Sequence, residues 1–374
     1  MQQHVAAGFE PVAEAFEANF GERGEVGAAL AVVQDGRTVL DLWGGSAAPG
    51  RPWRHDTLQM IFSGTKGLVA TALLVLVERG AIELDAPVAR YWPEFAARGK
   101  QDVTVAEVLS HRGGLPAYPD ATTHEDLLDQ AGLAARLADS SRQTDAVVYH
   151  PLTFGTLVGE LIRRVDGRTA GSFFHDEIAT PLDLDVWIGL PPEHEHRASE
   201  FSYAPGLVQA APERDFDRRV WANPPLFAEG PIFWNTARAH RAELPAVNAL
   251  GTARSIARLY GCLALGGTLD GVQLLKPETI DLARSPLARG IDPTTGDDLA
   301  YGLGYRLQSS AQPLGPPDDV FGHGGAGGSG HAAWPSARVG VSYVMNELRD
   351  SGGIDPRRKA VLTALHEVVS RSSR

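Results

Sequence analysis

The chain has 374 residues, 43% hydrophobic and 21% charged, with a formal net charge of −12. That is enough chain for two domains, or for one domain carrying a large insertion, in the composition of an ordinary soluble globular protein. The acidic balance and the lack of any basic block exclude nucleic acid or an anionic membrane surface as the main partner.

The opening residues, MQQHVAAGFEPVAEAFEANF, show no cationic stretch followed by an apolar run. They read as the start of an amphipathic helix, not as a secretory leader. GAALAVVQDGRTVLDLWGG follows, two β-rich runs flanking Asp35-Gly36. This pattern predicts a hairpin that opens an antiparallel sheet. A long helix is predicted from Ser63 to Gly80; its apolar stretch, residues 67–77, is too short to span a bilayer.

Residues 81 to about 245 show little strand alternation. VTVAEVLS, THEDLLDQAGLAARLA, TFGTLVGELIRRV and TAGSFFHDEIATPL predict helices between loops rich in Pro, Gly and Asp. Thr122 and Glu125 are spaced for a capping box, and His111 is placed to cap a helix end. The loop at 204–236 is long enough to cover a cleft. Helices continue through ARSIARLYGCLALGG, which carries the single cysteine, Cys262, at a core position. One cysteine excludes an internal disulfide. From residue 301 the strand runs YGLGYRL, HAAWP and VGVSYVM precede a C-terminal helix, DPRRKAVLTALHEVVSR. Without a leader, a span or a disulfide, the cytoplasm is the expected compartment.

Strands at both ends with helices between them predict an α/β (α+β) layout. Residues 1–80 and 246–374 would build a discontinuous domain with an antiparallel sheet. Residues 81–245 would be a mostly helical insertion, with the active site at their interface. Strands and helices do not alternate, which argues against a doubly wound sheet or a TIM barrel.

Ser63-Gly64-Thr65-Lys66 is an S-x-x-K tetrad at a helix start. A spacing of three puts both side chains on one helix face, so Lys66 can reach the Ser63 hydroxyl. The helix N-terminus adds unpaired N–H groups suited to an oxyanion. Lysine occurs only at 66, 100, 276 and 359, against thirty arginines. Arginine could not serve here, because a guanidinium keeps its proton whereas a desolvated lysine can be a neutral base. Alone, the tetrad also fits a chance pair on a solvated turn. Tyr149, with His150 as its rival, ends a short β-like run before a helix and could relay a proton. Alone it reads equally as a core residue. The glycine-rich VFGHGGAGGSGHAAWP lets a substrate approach the backbone closely, with His323 as the polar side chain at its start. GHGGAG formally fits a dinucleotide fingerprint, but a strand follows it where a helix is required. GGSGH fails as a nucleophile elbow at His331.

These segments, in this order, resemble the serine hydrolases related to class C β-lactamases and penicillin-binding proteins. The likeness is greatest to family VIII carboxylesterases. It is carried by IFSGTKGLVATALLVLVERG, VAEVLSHRGGLPAY, VVYHPLTFGTLVGELIRRVDGRT, AELPAVNALGTARSIARLYGCLA and FGHGGAGGSG. The resemblance implies a β-lactamase/transpeptidase-like fold and no cofactor or metal. It implies Ser63 as nucleophile, Lys66 as base and Tyr149 as proton partner, with the backbone N–H groups of Ser63 and Ala326 as the oxyanion hole. His323, Gly324 and Gly325 would replace the K-T-G strand motif, and Asn248 would face the cleft as a further substrate-binding residue. Two departures stand out. Pro151 occupies the position of an Asn, and His323 that of a Lys, which removes a fixed charge. Both favour a neutral small-molecule ester as substrate. The alternatives are a β-lactamase or D-alanyl peptidase, a transacylase or amide-forming cyclase, and a non-catalytic penicillin-binding-like protein. His194 and His196 have an H-x-H spacing, but no third ligand is spaced to complete a metal site.

Overall fold

The computed structural model describes residues 2–208, 211–311, 313–350 and 353–372. Asp35 and Gly36 take φ of 49° and 78°, the left-handed pair that a tight hairpin demands. They join the predicted runs, so the sheet starts where the sequence places it. Its strands are β1 (Gln2–Val5), β2 (Gly27–Gln34), β3 (Arg37–Ala48), β4 (Ala288–Ile291), β5 (Asp298–Tyr301), β6 (Arg306–Leu307), β7 (Phe321–Gly324), β8 (Gly330–Trp334) and β9 (Val339–Met345). Their order across the sheet is β1-β3-β2-β9-β8-β7-β6-β5-β4, antiparallel throughout, and Arg51–Pro52 adds a short tenth strand on β3. The two ends of the chain meet at β2 and β9, where Ala31 pairs with Ser342.

The helices that matter for the site are α1 (Glu10–Glu22), α2 (Thr65–Glu78), α3 (Val105–Leu109), α4 (Gln130–Ala138), α5 (Thr153–Asp166), α6 (Asp215–Trp221), α7 (Ala253–Ala264) and α8 (Pro356–Ser372). Neighbouring residues of a strand face opposite ways, so β9 shows which helices lie on which side. Tyr343 meets Phe16 of α1, at 6.4 Å between ring centroids. A Cβ on Gly340 would collide with Gly261 of α7. Helices therefore cover both faces, with α8 packed beside α1. Cys262 of α7 is buried, as its helical spacing predicts.

Helix α2 is apolar all round and is buried from Thr65 to Leu76, packed against α5. A small sheet ties it in: Gln59–Met60 and Val186–Ile188 both pair with Ala249–Gly251. No helix of the described residues is long and apolar enough to cross a membrane.

Three local expectations shift. The long helix begins at Thr65, after a 3-10 turn over Phe62–Gly64. The capping box near residue 122 forms one position later. Thr123 and Asp126 exchange N–H···O bonds at 2.7 and 3.2 Å, while Thr122 donates its N–H to Asn223. YGLGYRL is not one strand: it bends over residues 302–305, between β5 and β6, with Gly304 at φ 78°. His111 ends α3 as expected, but through its backbone. It adopts φ 61°, and its N–H and that of Arg112 bond back to Val108 and Glu107.

Candidate active site

Ser63 lies in the turn that feeds α2. The residue before it, Phe62, has φ 43°, an uncommon conformation for a bulky aromatic. Its ring is stacked on Phe201 at 4.8 Å and gripped edge-on by Phe227 and Trp234 of the 204–236 segment, at 5.8 and 5.5 Å. Strain of this kind, on the order of 1–3 kcal/mol, persists only where packing over-determines it. Here the packing fixes the direction of the next residue's hydroxyl.

Lys66 is fully buried at the start of α2. Its Nζ lies 3.2 Å from Ser63 Oγ, 2.7 Å from the Pro151 carbonyl and 3.1 Å from the Ala246 carbonyl. Burial, and then the Arg306 guanidinium, pull its pKa well below the ordinary lysine value. A neutral amine has two N–H donors and one lone pair. Carbonyl oxygens can only accept, so in that neutral form Pro151 and Ala246 would take the two donors and leave the lone pair for the Ser63 hydroxyl, whereas an ammonium would donate to all three.

Tyr149 sits in irregular chain between α4 and α5, so neighbouring side chains must hold it. Its N–H donates to Asp292 Oδ2 at 2.9 Å, and the next N–H, of His150, donates to His111 Nδ1 at 3.1 Å. The ring stacks between Trp221 and Tyr301, at 6.0 and 6.1 Å. Lys66 Nζ lies 4.9 Å from its centroid, and the ring borders the same cleft as Ser63. Burial, then Tyr301, raise the phenol pKa, so the group stays protonated at rest. His150, the rival, is occupied elsewhere. Its Nδ1 lies 2.7 Å from Val148 O, its Nε2 accepts from Leu115 N–H at 3.2 Å, and burial lowers its pKa to about 4.

The glycine-rich hairpin of β7 and β8 closes the other side. His323 is buried, with Nδ1 2.7 Å from Gly324 O and an Nε2 that has no hydrogen-bond partner among the described residues. Burial, then Lys66 and Arg306, hold its pKa well below the usual imidazole range, so it presents a neutral ring. A Cβ on Gly325 would collide with Ser329 Oγ and with the Ile61 carbonyl. Glycine here lets the hairpin lie against the chain that enters the nucleophile turn. Ala326 follows. Among the described residues, neither its N–H nor that of Ser63 donates to a backbone carbonyl.

Ser63, Tyr149, His323, Gly324, Gly325 and Ala326 thus border one cleft, with a cavity of about 160 Å³. Trp221, at the end of α6, and Leu226 beyond it line the cleft and form its cover. Asn248 does not face it. It is fully buried; its Oδ1 accepts from Leu244 N–H at 2.9 Å, and its Nδ2 donates to Ala239 O at 2.8 Å and Ala242 O at 2.5 Å. All its hydrogen-bonding capacity near the helix-rich segment goes into fixing a turn.

Sequence reading missed three residues of the site. Arg306, buried on β6, lines the cleft, donates from Nη2 to Tyr301 Oη at 3.1 Å and lies over the rings of Tyr149 and Tyr301, at 5.7 Å from each. The ring at His323 is neutral, but the cleft keeps a permanent cation on a different strand. An arginine inside the apolar run YGLGYRL was the available signal. Asp292 and Trp221 carried none, because their role depends on long-range contacts. Among the described residues, no group of three or more His, Cys, Asp or Glu is arranged to hold a metal ion.

The beta-lactamase family model matches residues 12–364, and the chain belongs to that family. It is 36% identical over 351 residues to the esterase/beta-lactamase LipL of Mycobacterium tuberculosis, covering 90% of this chain and 80% of that protein. Among solved structures, a family VIII carboxylesterase superposes with TM-score 0.91 at 37% identity, covering 98% of this chain and all of that one. A penicillin-binding protein homologue from Caulobacter crescentus also gives 0.91, at 36% identity and with the same coverage. The expected β-lactamase/transpeptidase-like fold is therefore the observed one.

Proposed function

We propose that this chain is a serine hydrolase of carboxylic esters, working through an acyl-enzyme on Ser63 with Lys66 and Tyr149 as its proton-handling pair. The observation that carries the reading is the convergence of amine and phenol on the nucleophile, with Lys66 Nζ 3.2 Å from Ser63 Oγ and 4.9 Å from the Tyr149 ring centroid, and Ser63 and Tyr149 lining one cleft. Names of the relatives point the same way, being an esterase/beta-lactamase and a family VIII carboxylesterase.

The groups divide the work by their protonation. Lys66, desolvated, accepts the Ser63 proton as Oγ attacks the ester carbonyl carbon. Tyr149, a neutral phenol at rest, passes a proton between Lys66 and the leaving alkoxide. The tetrahedral oxyanion lies against the N–H groups of Ser63 and Ala326. Collapse expels the alcohol. Water, deprotonated by the same pair, then attacks the acyl-enzyme and releases the acid. Neutral His323 and the small cavity suit an uncharged ester. Arg306 favours a second reading, a substrate bearing a carboxylate, such as a β-lactam. The ratio of kcat/KM for p-nitrophenyl butyrate to that for nitrocefin decides between them.

The test is intact mass. Wild-type protein quenched during turnover of a p-nitrophenyl ester should carry one acyl group, mapped to Ser63, and Ser63→Ala should carry none and lose at least a thousandfold in kcat. A Ser63→Ala protein that turns over at the wild-type rate sinks the proposal.

A further inference from the structure

Tyr149 lies in irregular chain, yet the proposed chemistry needs its oxygen held to a fraction of an ångström. The structure shows what fixes it. Asp292 is fully buried in the turn between β4 and β5, and each of its oxygens has a separate task. Oδ2 accepts the Tyr149 N–H at 2.9 Å. Oδ1 accepts the Thr294 N–H at 2.8 Å and the Thr294 hydroxyl at 2.6 Å. Thr294 Oγ1, having donated its hydrogen, accepts the indole N–H of Trp221 at 2.8 Å. The Trp221 ring then closes the circuit by stacking on Tyr149 at 6.0 Å and 22°.

A second contact ties the cover to the same turn. Arg214, just before α6, is paired with Asp217 at 2.6 Å and donates to the Pro293 carbonyl at 2.6 Å. Both ends of α6 are thus fastened to residues 293 and 294. Trp221 also forms part of the cleft wall, so the residue that meets the substrate is bonded to the residue that holds Tyr149.

We infer that Asp292 is a positioning residue for Tyr149, and that the Trp221–Thr294 hydrogen bond latches the cover to it, so that the phenol is aligned only while the cover is closed. The inference rests on the proposed role of Tyr149. It assigns Asp292, Thr294 and Trp221 a share in the rate, beyond shape.

The least disruptive variants are Thr294→Val, which removes the linking hydroxyl, and Trp221→Phe, which keeps a ring on Tyr149 and removes the indole N–H. Each should lower kcat for p-nitrophenyl acetate by about tenfold, with KM changed by less than about threefold. Thr294→Ser should restore the wild-type rate. The double variant should be no slower than either single one, because both break the same bond. Asp292→Asn must turn an NH₂ group towards one of two N–H donors, and should lose on the order of a hundredfold. Should that variant fail to fold, the other two still decide. Wild-type kcat in both Thr294→Val and Trp221→Phe overturns the inference, even if their thermal stability falls. So does a failure of Thr294→Ser to rescue. Tyr149→Phe run alongside separates the two levels. An inactive Tyr149→Phe with unaffected latch variants removes the latch alone, whereas a fully active Tyr149→Phe removes both.

Discussion

Two of the four lysines, Lys66 and Lys100, are fully buried, and their surroundings nearly match. Lys100 donates to the carbonyls of Ala97 at 2.8 Å, Ala138 at 2.9 Å and Ser140, with Phe95 5.3 Å from its Nζ. Lys66 likewise has two carbonyls and an aromatic face, that of Tyr149. The third oxygen differs. For Lys100 it is another carbonyl, which can only accept, so all three acceptors are satisfied only by an ammonium capping the end of α4. For Lys66 it is a hydroxyl, which can give a proton away. The charged neighbours differ as well. Burial lowers both pKa values and a guanidinium adds to it in each case, Arg306 at Lys66 and Arg98 at Lys100, but only at Lys100 does a carboxylate, Asp139, work against it. Scarcity of lysine therefore does not mark a base. A proton-bearing partner and the absence of a nearby carboxylate do. Arg357 shows the opposite arrangement, a buried cation held by Glu25 at 2.9 Å and Asp355 at 2.8 Å.

Replacing each lysine by methionine gives the widest separation. Lys66→Met should lose about a thousandfold in kcat, within the range general-base removal produces, and should still unfold cooperatively. Lys100→Met should keep kcat within about twofold but lose roughly 2–4 kcal/mol of stability, since buried carbonyls are left without donors. Steady-state rates on p-nitrophenyl butyrate and urea unfolding of both proteins measure this. Equal losses of activity would break the comparison. A smaller effect sharpens it: Tyr149→Phe should cost about a hundredfold in kcat while the Ser63 adduct still forms. A loss as great as that from Lys66→Met would make the phenol, not the amine, the first proton acceptor.

What the sequence reveals divides along the same physical line. Ser63 and Lys66 lie three residues apart across the 3-10 turn that opens α2, so their meeting follows from local geometry. The Asp35-Gly36 turn is legible for the same reason. Tyr149 could be named only as a candidate, because its hold depends on Asp292, 143 residues away. Arg306 reaches the cleft by its place on an interior strand, and an arginine inside an apolar run was its one local signal. Asn248 misled: a polar residue in a motif-like stretch suggested a ligand contact, yet the turn at 239–248 consumes every donor and acceptor it has. The capping box slipped by one residue because an Asp at 126 reaches back to Thr123 as well as a Glu would at the predicted offset. Residues 302–305 bend where two glycines interrupt the apolar alternation that had suggested one strand.

The finest test of the lysine comparison is the pH dependence of folding. In the unfolded chain, Lys66 titrates near its ordinary value of 10.5, and in the folded protein well below it. Between those two values the unfolded chain binds one proton that the folded protein does not. Stability therefore rises with pH across that window and levels off above 10.5, by about 1.4 kcal/mol per pH unit for one proton. Lys66→Met abolishes this contribution. The unfolding free energy of the wild type, minus that of Lys66→Met, should increase as pH rises towards 10.5 and then level off. The corresponding difference for Lys100→Met should be flatter, because Asp139 opposes the effect of burial there. A flat wild-type-minus-Lys66→Met difference over that range would mean that Lys66 is an ammonium in the folded protein. It would then have no lone pair to offer the Ser63 hydroxyl, and the proton would have to leave by another route.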